Sequence, residues 1–290
     1  MTDHKTDTPK NGLPYKPLSK SYRNRFPFTL AAPSFIYPDH VLPNVRMLAP
    51  FIDEIELVLF ESSPEESLPP EPDIKALAAL SQSEGISYNI HLPIDVKITD
   101  QDTESQADAI DRIAHAVERA CMLEPSTWTL HLPYTGTAPD SASVKQWQNM
   151  AVSAVETLLK RTRISPRLIS VETLDYPPAW LEPVARDLDL SVCLDTGHLM
   201  EYGRDITEAF ELLGNRISII HLYGGVRQGR GHIGLEHLPE SLAPAVSGIL
   251  RQFTGIVSLE VFSRKELEKS MESLVKLAMP EAPGESFSHN

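Results

Sequence analysis

The chain has 290 residues, 41% of them hydrophobic and 23% charged, a formal net charge of -14, and two cysteines. This is enough apolar material for the core of one large globular domain. The acidic balance argues against a nucleic-acid binder, which needs a cationic face for the phosphates. Cys121 and Cys193 fit neither a zinc ribbon nor a disulfide framework, so both read as buried thiols in a reducing cytoplasm.

Residues 1–25 are polar, basic toward their end and proline-containing, with no apolar stretch like the core of a signal peptide, and are expected to form a flexible tail. From Phe26 onward, short β-branched apolar runs alternate with longer segments of helical period. Strands are expected at Phe28–Ala32, Glu54–Phe60, Ser87–Leu92, Thr127–Leu132, Leu168–Thr173, Ser191–Asp195, Ile217–Leu222 and Ile256–Val261. The clearest helices are Asp102–Met122, with a stripe of Ala107, Ile110, Ala114, Val117 and Cys121, and Val144–Lys160, with Val144, Trp147, Met150, Ala151, Ala154, Val155 and Leu158.

Eight strands in βα alternation predict an α/β chain folded as a (β/α)8 TIM barrel, one domain over residues 26–279, with a second flexible tail over 280–290. The first strand runs into "PSFIYP" rather than a glycine-rich phosphate loop, which argues against a doubly wound dinucleotide fold. No segment approaches the roughly 20 apolar residues of a membrane span.

Functional groups of such a barrel sit where the strands end. Here the ends carry Glu61, His91, His131, Glu172, Asp195 with His198, His221 and Glu260. Singly, each has an ordinary alternative: Asp195 caps the following helix, a histidine satisfies a backbone carbonyl, a glutamate pairs with arginine. Jointly, carboxylates gathered at one barrel mouth repel unless protons or cations neutralise them, and carboxylates mixed with imidazoles suit zinc, manganese, iron or cobalt. Glu172, Asp195, His221 and Glu260 form one candidate ligand set. His91 and His131 either add a second ion bridged through Glu172 or hydrogen-bond a substrate around a single ion.

This set resembles that of the xylose-isomerase-like barrel superfamily, which includes endonuclease IV-type enzymes and sugar isomerases and epimerases. The endonuclease branch carries an Asp-x-His pair after strand seven, whereas "GGVRQGRGHIGLEHL" has Arg230 in place of that Asp and keeps His232. A narrower resemblance lies in "FPFTLAAPSFIYPDHVLPNVRMLAPFIDEIELVLFES", which is similar to the opening of the cobamide-remodelling phosphodiesterases.

That resemblance implies hydrolysis of the phosphoribosyl bond of a cobalamin-type cobamide, giving cobinamide phosphate and α-ribazole. It also implies one to three divalent ions, zinc or manganese foremost, and a small-molecule corrinoid substrate; the acidic balance and the lack of a long apolar segment add the expectation of no nucleic-acid or membrane partner, with the oligomeric state left open. The expected roles are catalysis for Glu172, Glu260 and His198, and substrate contacts for Tyr37, Glu61, Tyr223, Arg227, Arg230 and His232. Rivals are a sugar isomerase or epimerase using Glu172 and Glu260 on one metal, a non-catalytic cobamide carrier, and a DNA-repair enzyme.

Overall fold

The computed structural model describes residues 14–60, 68–136, 138–227 and 231–279. Eight parallel strands close into a barrel: β1 (Thr29–Pro33), β2 (Glu54–Val58), β3 (Ser87–His91), β4 (Trp128–Leu130), β5 (Ile169–Glu172), β6 (Ser191–Asp195), β7 (Ile217–Leu222) and β10 (Ile256–Leu259), with β10 seated between β7 and β1. The short β8 (Val226–Arg227) and β9 (Gly231–His232) form a separate antiparallel hairpin in the loop after β7. Most of the expected strands are shortened by one or two residues at their ends, where the ladder gives way to loops; Ser191–Asp195 and Ile217–Leu222 stand as expected.

The strands have two unlike faces because successive side chains alternate. Leu30, Ile55, Leu57, Ile90, Leu130, Val171, Leu194 and Val257 join the helices in one outer core. Inside the barrel, a small apolar cluster of Ala31, Cys193, Ile219 and Ile256 stands apart from that core. The other inward positions are largely polar and buried: Glu54, Glu56, Asn89, His91, Thr129, Ser170, Glu172, Asp195, His221 and Ser258. Cross-strand register sets Asp195 beside His221 and Ser258 beside His221, so neighbouring strands deliver their polar groups at one height.

The outer layer consists of α1 (Val41–Leu48), α2 (Glu71–Glu84), α3 (Thr103–Ala120), α4 (Ser141–Thr162), α5 (Pro178–Asp187), α6 (Thr196–Glu201), α7 (Ile206–Leu213), α8 (Ala243–Gln252) and α9 (Arg264–Ala278). Side chains satisfy several orphan N–H groups at helix starts: Asp102 caps α3, Asp140 caps α4, Asp205 caps α7 and Ser263 caps α9. Among the described residues, no helix is long and apolar enough to cross a membrane.

Three sequence expectations change. Leu18 and Tyr22 are buried and Arg23 donates to the carbonyls of Ala49, Glu84 and Gly85, so residues 14–25 pack on the barrel rather than hang from it. Cys121 is exposed while Cys193 is buried, because α3 ends at Ala120 and the following 3-10 turn rotates the Cys121 thiol outward. The buried stripe of α3 is Ala109, Ile110, Ile113, Ala114, Ala116, Val117 and Ala120; Ala107 lies in the exposed part of the first turns.

Candidate active site

The C-terminal ends of β3 to β7 and β10 bring His91, His131, Glu172, Asp195, His198, His221 and Glu260 together. Glu172 sits at their centre. Its Oε2 lies 3.1 Å from His91 Nε2 and 3.0 Å from His131 Nε2. Its Oε1 faces the other way, 3.2 Å from His198 Nδ1. One carboxylate therefore addresses two separate imidazole groups.

The second focus is His221, whose Nδ1 is 3.5 Å from Glu260 Oε2, 3.7 Å from Glu172 Oε2 and 3.9 Å from Asp195 Oδ2. His221 Nδ1, Asp195 Oδ2 and Glu260 Oε2 are all buried without a hydrogen-bond partner. Such orphans are costly in a sealed interior. Ligand atoms around a divalent ion, each about 2 Å from it, stand at separations of this order.

Tautomers lead to the same conclusion. His91 Nδ1 lies 3.0 Å from the Leu92 carbonyl, which only accepts, so this nitrogen carries the proton. The ring's Nε2 faces Glu172 Oε2 at 3.1 Å, a contact that needs a proton or a cation between the two atoms. The donor set thus fits a divalent metal. His91–His131–Glu172 and Glu172–Asp195–His198 each offer three ligand atoms within 4.8 Å of one another, as do His91–His221–Glu260 and Glu172–Cys193–His221.

Burial and charge set the protonation states. Burial alone acts to raise Glu172, but the charge of His131 and hydrogen bonds from His131, His198 and His91 outweigh it and hold Glu172 well below the usual carboxylate range. Asp195 is pushed up to about 6, chiefly by desolvation, and Glu260 is raised well above its ordinary value for the same reason. Burial opposes charge on His198, yet its contact with Glu172 and the charge of Asp195 win, raising it to about 10. His221 is likewise raised well above its ordinary value against desolvation, by Cys193, Glu56 and Glu260. Desolvation lowers His131, and lowers His232 to about 4.

Asp195 performs both tasks considered for it. Its Oδ1 accepts from the His198 backbone N–H at 2.7 Å and caps α6, while Oδ2 turns into the acidic centre. His198 Nδ1 is committed to the Thr173 carbonyl, Glu172 and Asp195 at 3.2 to 3.3 Å, which leaves Nε2 uncommitted to them. His232, carried by β9, sets Nδ1 3.1 Å from the Glu260 carbonyl and stacks flat on Tyr223, ring centroids 3.9 Å apart. Tyr223 is fully buried.

Tyr37 stands apart from this cluster, in the β1–α1 loop. Asn44 clamps that loop, accepting from Tyr37 N and donating to the carbonyls of Tyr37, Asp39 and His40. Phe35, Tyr37, Pro38, Asp39 and His40 line a cleft of about 440 Å³ there. Glu61, Arg230 and the side chain of Arg227 lie outside the described part of the structure.

Glu56 was not among the sequence candidates. Fully buried on β2, its Oε1 lies 2.9 Å from His221 Nε2, and its Oε2 accepts from Ser258 Oγ at 2.5 Å. Desolvation acts to raise this carboxyl, but the charge of His221 leads the opposing effects and holds it below its ordinary value. The signal was the alternation in "EIELV", which places Glu54 and Glu56 on one face of a strand otherwise buried among apolar groups.

A sequence profile of the family described as xylose isomerase-like TIM barrel matches residues 52–278. Comparison with curated proteins gives no match. Among solved structures, the IOLI protein with a bound zinc atom aligns with a TM-score of 0.68 at 13% identity, covering 86% of this chain and 98% of that one. A D-tagatose 3-epimerase-like protein aligns at 0.65 and 19% identity over 86% and 97% of the two chains. A xylose isomerase domain protein from Planctomyces limnophilus aligns at 0.64 and 12% identity over 91% and 98%. At these identities the likeness is one of fold.

Proposed function

Given that this chain belongs to the xylose isomerase-like TIM barrel family, a fold family of enzymes, we propose that it is a divalent-metal-dependent phosphodiesterase that hydrolyses the phosphoribosyl bond of a cobalamin-type cobamide. The observation that carries this reading is the division of Glu172, with Oε2 toward His91 and His131 and Oε1 toward His198. One oxygen thus faces a pair of histidine ligands and the other an imidazole placed to donate a proton, the two parts that a metal-assisted phosphoester displacement needs.

His91, His131, Glu172, Asp195, His221 and Glu260 would hold the metal. Bound there, it supplies positive charge to the phosphodiester and lowers the pKa of water beside it. Glu172 orients the attacking water. His198, fixed through Nδ1 and held cationic, presents Nε2–H to the phosphodiester and gives its proton to the departing ribose oxygen. The phosphorus-to-ribose-oxygen bond breaks, the water oxygen stays on phosphorus as a hydroxyl while the proton it sheds restores His198, and α-ribazole leaves cobinamide phosphate behind.

The corrinoid assignment is supported by the likeness of residues 26–62 to the opening of the cobamide-remodelling phosphodiesterases. Exposed apolar side chains beyond the strand ends, Ile94 and Phe262 on loops, Tyr202 at the end of α6 and Val226 on β8, would suit a large ring system. Tyr37 would contact it from the β1–α1 cleft, and Tyr223 with His232 from the β7 side. The net charge of -14 speaks against a nucleic-acid substrate.

A second reading, a sugar isomerase or epimerase, is favoured by one observation. Burial raises the Glu260 carboxyl while the surrounding histidines hold Glu172 low, so the two are pulled apart in the sense that a proton shuttle beside a carbonyl requires.

Chromatography of cobalamin after incubation with metal-loaded wild type and Glu172→Ala, alongside a panel of ketoses, tests both. The expected result is α-ribazole and cobinamide phosphate from wild type alone. Isomerised sugar with intact cobalamin overturns the phosphodiesterase reading.

A further inference from the structure

We infer that Glu56 is a positioning residue that aims His221 into the acidic centre and thereby sets the metal affinity of the site. The two residues are not brought together by strand pairing, because β1 and β10 lie between β2 and β7 in the barrel order. Glu56 reaches His221 across the barrel interior instead, Oε1 to Nε2 at 2.9 Å, with the oxygen off the axis of a well-aligned N–H bond. Ser258, on the intervening β10, fixes the other oxygen at 2.5 Å.

The opposite edge of the imidazole is the one that matters to a ligand. With its Nε2 edge turned to Glu56, His221 presents its Nδ1 edge to the space bounded by Glu260, Glu172 and Asp195, 3.5 to 3.9 Å away, where a metal would take the place of the Nδ1 proton. A histidine ligand needs its second nitrogen held in this way, and loss of the holding group costs about 10–100-fold in metal affinity.

Glu54, two residues earlier on the same face, shows what a purely structural buried carboxylate looks like here. It accepts from Ser87, Asn89 and Ser126 at 2.6 to 2.9 Å. Glu56 lacks such a ring of neutral donors and spends one oxygen on an imidazole edge.

The inference rests on the divalent-metal reading of the site and not on the choice of substrate. Its test is a zinc competition titration of the full chain against a chromophoric chelator, for wild type, Glu56→Gln and Ser258→Ala. Histidine-selective long-range proton–nitrogen spectra of the zinc-loaded proteins accompany it. Glu56→Gln is expected to weaken zinc binding about 10–100-fold and to move the His221 Nε2–H resonance upfield. Ser258→Ala, which frees only the far oxygen, is expected to give a smaller change in the same direction and serves if Glu56→Gln does not fold. A folded Glu56→Gln protein with zinc affinity within about twofold of wild type and an unmoved His221 resonance overturns the inference, as does an unaltered Ser258→Ala protein where Glu56→Gln is unfolded. Neither readout involves cobamide, so absence of cobalamin cleavage with zinc binding weakened by Glu56→Gln would reject the substrate reading and leave this one standing.

Discussion

His91 Nε2 and Glu172 Oε2 face each other at 3.1 Å although the other nitrogen of His91 is already committed to the Leu92 carbonyl at 3.0 Å. Both groups are buried, and their contact needs a proton or a cation between the two atoms, a place that a divalent ion can take. Metal should therefore stabilise the folded chain. At 100 times the dissociation constant, the gain is about 2.7 kcal/mol, which for a chain of this size corresponds to roughly 4–5 °C in Tm. Calorimetry with and without a chelator checks this, and Glu172→Gln should abolish most of the shift. An identical Tm in chelator and in zinc would remove the metal centre from the account.

His198 makes the chelated protein sensitive to alkali. Its pKa is raised to about 10 in the folded state, against desolvation, by Glu172 and Asp195, while the unfolded value is the ordinary 6.5. The folded state thus holds the proton more tightly, and its contribution is fully present below about pH 6.5 and lost as pH rises through about 10. Urea denaturation of metal-free wild type and His198→Gln should show curves that converge between pH 7 and 10, with a difference on the order of a few kcal/mol at the acid end. Parallel curves across that range would assign the proton to another group.

Gly197 is the first-turn residue of α6 that lets Tyr223 lie where His232 stacks on it. A Cβ at Gly197 overlaps the Tyr223 ring, and Tyr223 has no exposed face into which to move. Gly197→Ala should destabilise the protein by about 1–3 kcal/mol and reduce turnover by shifting His232. Pairing it with Tyr223→Leu should recover part of the stability but not the turnover. Wild-type stability in Gly197→Ala alone would show that the ring has room to yield.

The barrel was legible because βα alternation is a long-range pattern that survives errors in any one element, and the ligand-type residues were legible because they cluster at strand ends. Asp195 illustrates the limit of reading one residue at a time: cap and inward carboxylate are two oxygens of one side chain, and no spacing distinguishes them. Glu56 was missed because "EIELVLF" was read as an apolar run whose functional residue should come at its end, which directed attention to Glu61. The period-two polarity inside the strand, repeated in "SYNIH" and in "TWTLH", was the available sign that the barrel interior is polar. Residues 14–25 were misjudged for a different reason: Leu18 and Tyr22 are isolated apolar residues in a polar stretch, and their burial depends on the barrel surface they meet.

Glu54 separates the barrel's stability from its chemistry. Its carboxyl is raised by burial but satisfied by Ser87, Asn89 and Ser126 on the neighbouring strand and loop. Glu54→Ala would take the acceptor from Ser87 and Asn89, at a cost of about 1–3 kcal/mol for each one left buried and unpaired, while Ser126 keeps the Tyr88 carbonyl; Glu54→Gln keeps one acceptor oxygen and should lose less. Because Glu54 points to the same interior as Glu56 but bonds only neutral groups, zinc affinity of the folded Glu54→Gln protein should stay within about twofold of wild type, against the 10–100-fold loss expected for a ligand-holding carboxylate. Denaturant midpoints and the same chelator titration give both numbers. A large loss of affinity in Glu54→Gln would mean that the interior polar groups act as one coupled network rather than as a structural layer beneath a metal layer.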